Sequence, residues 1–107
     1  MGLFKKSYQK NIAKDKETLT DYAVMVNRLL LFAEGHESVV VALKQLQDDL
    51  HYTSVTADTD AKKSRKNIGK YMEQLDNVMS QPTWSEDDVM HYVKLIRAEI
   101  VTHSVHI

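Results

Sequence analysis

Carboxylates and imidazoles recur one helical turn apart in three places in this chain. Asp48-x-x-His51 and Asp88-x-x-His91 each set a carboxylate three residues before a histidine, and His103-x-x-His106 pairs two imidazoles with Glu99 one turn earlier. On facing helices, such pairs can hold divalent metals, provided that further carboxylates project inward from the same bundle. The second half of that requirement is missing here. No Glu stands in the middle of an apolar stripe, and Asp88 falls where a helix start already employs it. No metal site is therefore expected from the histidines.

Other chemistry is excluded more directly. The chain has no cysteine, which rules out thiol nucleophiles, disulfides and cysteine-containing zinc sites. It fits a reducing compartment, so a cytoplasmic location is expected. There is no phosphate-binding loop, dinucleotide fingerprint or nucleophile elbow. The reading that follows is a non-enzymatic protein with no catalytic residues, no cofactor and no small-molecule substrate.

The elements that position these residues come from the spacing of apolar side chains. Val89, Val93, Ile96 and Ile100 form one stripe, and Ile68, Met72, Leu75 and Met79 another. Steps of three and four place such residues on one helix face, whereas a half-buried strand alternates every second residue. A third stripe runs Leu19, Tyr22, Ala23, Val26, Leu30, Ala33, and a fourth Val39, Leu43, Leu46, Leu50. At 107 residues with 43% hydrophobic and 27% charged content, the chain is long enough for one core and too polar for a membrane span. Four one-sided helices bury their stripes against each other. The expected fold is all-α, a small antiparallel four-helix bundle over residues 16–107 with a basic N-terminal arm over residues 1–15.

Boundary signals refine this picture. Thr18-Leu19-Thr20-Asp21 has the form of a capping box and predicts the first helix start near Thr18. Gly35 suits a helix end and a short turn into a second helix from about Glu37 to Leu50, an antiparallel hairpin rather than one continuous helix. Thr53–Thr59 reads as a connector, with the third helix following to about Ser80. Gln81-Pro82-Thr83 stops that helix, because the residue before proline avoids helical angles. Ser85 as N-cap, Asp88 at the third helical position and Trp84 just outside give the fourth helix, to about His103, the clearest start. Glu86, Asp87 and Asp88 complement the positive end of its dipole.

Charge is strongly segregated although the net charge is only −1. Five lysines against Asp15 give residues 1–16 a charge of +4, and residues 61–70 carry +5. Residues 34–60 and 71–88 each carry −5. The N-terminal segment alternates this charge with apolar positions. Leu3 or Phe4, Tyr8 and Ile12 recur at helical steps among Lys5, Lys6 and Lys10, an arrangement suited to an anionic membrane surface or an acidic partner. No signal peptide is read there, and Lys6 stands where a myristoylation motif needs Ser or Thr. Lys62, Lys63, Arg65 and Lys66, within the basic 62–70 run, are candidate anion contacts. They lack the stacking platform or helix-turn-helix spacing that would favour nucleic acid.

The last candidate is apolar. Leu29, Leu31 and Phe32 widen the first stripe until that helix is apolar nearly all round, which suits a central position or contact with another protein. The leading expectation is a helical protein–protein interaction module, an adaptor, regulator or small assembly subunit, with self-association as a homo-oligomer open to it. Peripheral membrane association through the N-terminus is the alternative, and an accessory role in nucleic-acid binding a further one.

Overall fold

A computed structural model describes the backbone of residues 2–53 and 61–105 and the side chains of residues 13–53 and 62–103. It contains four helices, α1 Gly2–Phe32, α2 Glu37–Tyr52, α3 Ala61–Met79 and α4 Glu86–Val105. No strand occurs among the described residues. The all-α bundle read from the apolar spacing is the fold observed.

Each stripe faces the centre. Leu19, Val26 and Leu29 of α1 meet Val39, Leu43 and Leu46 of α2, Ile68, Met72 and Leu75 of α3, and Val89, Val93 and Ile96 of α4 in one buried core. Fully burying a Leu, Ile or Val contributes roughly 1.5–3 kcal/mol relative to exposure, so this shared core is the main stabilising term.

The helices form two hairpins. The Gly35 turn makes α1 and α2 antiparallel neighbours, and the Ser80–Ser85 turn does the same for α3 and α4. Between hairpins α1 packs on α3 and α2 on α4. Asp15 meets Arg65 and Arg28 meets Asp76, so α1 and α3 run in the same direction. His36 beside Glu86 and Asp49 beside Arg97 show that α2 and α4 do too. Helices α2 and α3, consecutive in the chain, therefore lie across the diagonal, as do α1 and α4.

The start of the first helix differs from the sequence expectation. Helix α1 begins at Gly2, not near Thr18, and Thr18–Asp21 lies in its interior. Nothing between Leu3 and Phe32 is Gly or Pro, and Lys and Gln are good helix formers, so no break existed for the capping pattern to act on. The helix runs unbroken across the boundary expected between residues 15 and 16, and Asp15 is buried in the bundle. Helix α3 is described from Ala61, and the connector residues before it lie outside the described residues.

The two turns follow their signals. Gly35 ends the first hairpin arm at φ +90°, a backbone conformation that L side chains rarely adopt. Ser85 Oγ accepts the Asp88 backbone N–H at 3.4 Å, and Glu86 is the first residue of α4. Trp84 packs against the core and its ring lies 4.4 Å from that of His36, which brings the two turns together. His36 Nδ1 is also 3.0 Å from Glu86 Oε1.

The sequence charge blocks sort in part toward the two ends. Glu34, Glu37, Glu86, Asp87 and Asp88 are exposed at the turn end, and Lys14, Lys16, Lys62, Lys63 and Lys66 are exposed toward the other, together with Glu17 and Asp48.

Gly35 has no atom within 4 Å of where a side chain would begin, so only backbone strain opposes substitution. Gly35→Ala is expected to lower stability by about 1–2 kcal/mol, and Gly35→Asn by less, in chemical denaturation with an unchanged slope.

Candidate functional site

The sequence candidates separate once folded. The side chains of Leu3, Phe4, Lys5, Lys6, Tyr8 and Lys10 lie outside the described residues, although their backbone belongs to α1. Lys62, Lys63 and Lys66 are exposed on α3, but Arg65 turns the other way and is buried. It is bound to Asp15 and is not available on the basic surface. The three apolar candidates also part company. Leu29 is in the core, Phe32 is half-buried beneath the Arg28 guanidinium at 5.5 Å, and Leu31 is 75% exposed. Of the histidines paired with carboxylates, His51 and His91 are exposed, and no three His, Asp or Glu side chains gather for a metal among the described residues.

The contacts Arg65 makes lead to a buried polar cluster. Asp15, Ser64, Arg65 and His103 are all buried where the basic end closes over the core. Arg65 Nη1 donates to Asp15 Oδ1 at 2.6 Å, and His103 Nε2 donates to the same oxygen at 2.9 Å. The carboxylate can only accept, so the His103 ring carries a proton on Nε2. Its Nδ1 is buried without a hydrogen-bond partner. Three helices thus converge on one oxygen, and His103 reaches it from the diagonal helix. Each residue extends a core stripe by one step: Asp15 four before Leu19, Arg65 three before Ile68, and His103 three after Ile100. That continuation was visible in the sequence, but a lysine-rich context made Arg65 read as surface.

Tyr22 and Gly69 close the α1/α3 seam beside this cluster. The Tyr22 hydroxyl donates to the Arg65 carbonyl at 3.0 Å. A side chain at position 69 would collide with that hydroxyl, so Gly69 is what lets Tyr22 lie across α3. Burial raises the Tyr22 phenol above its ordinary pKa of 10.0, while the Arg65 charge pulls it the other way.

The polar cluster is buried, and one open feature of the described surface is the α2/α4 face. A groove of about 560 Å³ runs between these helices, lined by Ala42, Gln45, Met90, Lys94, Arg97 and Val101. Asp49 Oδ2 accepts from Arg97 Nε at 2.9 Å across it. Val41, four residues before Gln45, and Tyr52, three after Asp49, continue the same side of α2. Seven large apolar residues are exposed among the described ones, and four of them, Val41, Tyr52, Met90 and Val101, are on this face. Val24 and Leu31, seven residues apart, mark a smaller strip on α1. Sequence spacing did not isolate this face because Val41, Met90 and Val101 sit just outside core stripes and count as stripe width until packing is known.

The cluster makes a stability prediction. Asp15→Asn leaves the always-charged Arg65 buried without a counter-ion and should cost about 3–5 kcal/mol. Replacing the set together, Asp15→Leu with Arg65→Met and His103→Leu, should be neutral or stabilising, since matched apolar side chains need no desolvation of charge. Denaturant titration of both variants checks the contrast, and equal losses in the two would refute it.

Comparison with known protein families, with characterised proteins and with solved structures finds no match to this chain.

Proposed function

We propose that this chain is a non-enzymatic helical interaction module and that its α2/α4 face is the contact surface. The supporting observation is the collection of Val41, Tyr52, Met90 and Val101 on one side of the bundle, around a groove floored by small residues. Exposed apolar side chains scattered singly are ordinary, whereas several gathered on one face mark a protein contact. Here two apolar ends, Val41 with Met90 and Tyr52 with Val101, flank a polar middle of Gln45, Lys94 and the Asp49–Arg97 pair. The His36–Glu86 and Asp49–Arg97 pairs tie α2 to α4 at two levels of this face.

A photo-reactive residue placed at Val101 tests this reading in cells that express the chain. Covalent adducts to protein are expected from position 101 and from position 90, but not from exposed Lys70 on α3. Adduct yields no higher from 90 and 101 than from 70 would remove the α2/α4 face as the contact surface.

A second reading rests on the charge sorting. Lys14, Lys16, Lys62, Lys63 and Lys66 are exposed toward the end away from the Gly35 turn, and no described helix is long and apolar enough to cross a membrane. Peripheral attachment by that basic end to an anionic membrane is the function this arrangement supports. Each lysine near such a surface contributes about 1 kcal/mol. Flotation with phosphatidylserine vesicles at low salt should therefore drop sharply in a Lys62→Glu, Lys63→Glu, Lys66→Glu variant. Flotation that is absent at low salt, or unaffected by the reversal, counts against it.

A further inference from the structure

The α2/α4 face is matched to itself. His36 beside Glu86 and Asp49 beside Arg97 set the two helices parallel and nearly level along their length. Moving along from the first pair, Val41 comes level with Met90, Gln45 with Lys94, Asp49 with Arg97, and Tyr52 with Val101. At each level the α2 residue and the α4 residue are chemically compatible: apolar with apolar at both ends, polar with cationic and acidic with cationic between. A two-fold axis parallel to the helices, placed between α2 and α4, would lay α2 of one copy over α4 of another in the same direction. Each level would then repeat its own pairing across the boundary, as an isologous interface requires.

We propose that this face pairs with the same face of a second copy in that parallel arrangement. The inference rests on the reading of the face as an interaction surface and names its partner. Charge supports the orientation. Level for level, Arg97 would face Asp49 of the second copy and Lys94 would face Gln45. The antiparallel alternative would place Lys94 against Arg97, a like-charge contact. Ala42 and Ala98 allow the helix axes to approach closely. The face is modest. Helix α2 is 16 residues, about 24 Å, and the bundle is 20 Å wide, so each copy offers roughly 500 Å² in projection. That is near the low end of specific interfaces, and the dimer is accordingly weak and concentration-dependent.

The absence of cysteine makes the test clean, because introduced thiols are the only ones present. Sedimentation of the purified full-length chain from micromolar to millimolar concentration is expected to show a monomer–dimer equilibrium. Val101→Glu, at an exposed position that leaves the core intact, should raise the dissociation constant about tenfold or more. Circular dichroism and melting confirm that the variant is folded. For orientation, chains carrying Val41→Cys and Met90→Cys are mixed and oxidised. The mixed 41–90 disulfide is expected to exceed either self-disulfide. A monomer at all concentrations, a dimer indifferent to Val101→Glu, or preferential linkage of Met90→Cys to Val101→Cys would each overturn the proposal. Photo-adducts from position 101 at masses other than twice the chain, together with a purified monomer, would defeat the second copy while leaving the interaction surface standing.

Discussion

One carboxylate oxygen decides how the two hairpins meet. Apolar stripes alone are poor at choosing among bundle topologies, because a hairpin turned end for end still buries its stripe. Asp15 Oδ1 accepts from α3 and from α4 at the same place. An arrangement that separated Asp15 from Arg65 would leave two buried charges unpaired, at a cost far above that of a mispacked methyl group. The ion pair adds little net stability over apolar replacements, yet it penalises the alternatives heavily. Tyr22 over Gly69 adds a steric condition at the same seam, since only a glycine there admits the ring. Together they favour α1 beside α3 in a parallel sense, although chain order makes α1 beside α4 equally reachable.

That topology determines what is left outside. With α1 held between α2 and α3, most of its surplus apolar surface is absorbed: Leu29 enters the core and Phe32 is covered on one side by Arg28. Helices α2 and α4 share a seam with no third helix over it, so residues just beyond their core stripes stay open to solvent. The same placement gathers the acidic first turn of α4 with the Gly35 turn at one end and the basic start of α3 with α1 at the other. Interaction surface and charge sorting are thus both consequences of which helices adjoin.

The sequence carried the helices and the core well, and the site poorly. Ile68 to Met79 and Val89 to Ile100 are unambiguous because burial on one face forces the helical repeat. The fourth helix start is equally clear, since Ser85 and its acidic first turn act locally and need no tertiary partner. Local signals misled at Thr18, where a capping pattern sits within a helix that has no reason to break. Arg65 was misread because four neighbouring cations imply a solvated face, and only its spacing from Ile68 argues otherwise. Interfaces are harder still. Whether Leu31 or Leu29 is exposed depends on a rotation of about 100° per residue relative to neighbours that the sequence does not place.

A parallel pairing brings two acidic ends together and two basic ends together, which charge opposes. The magnitudes decide otherwise. Exposed charges one interhelical distance apart, about 10 Å, repel through water by only about 0.4 kcal/mol per pair, and a Debye length of about 8 Å at physiological salt reduces this further. At the interface itself, groups about 4 Å apart near a protein surface interact by roughly 4 kcal/mol before desolvation is subtracted. Arg97 against Asp49 of the second copy in the parallel pairing, or Lys94 against Arg97 in the antiparallel one, therefore outweighs the repulsion of the ends. Orientation is set by a single polar step in the middle of the face, with the apolar levels on either side indifferent to it.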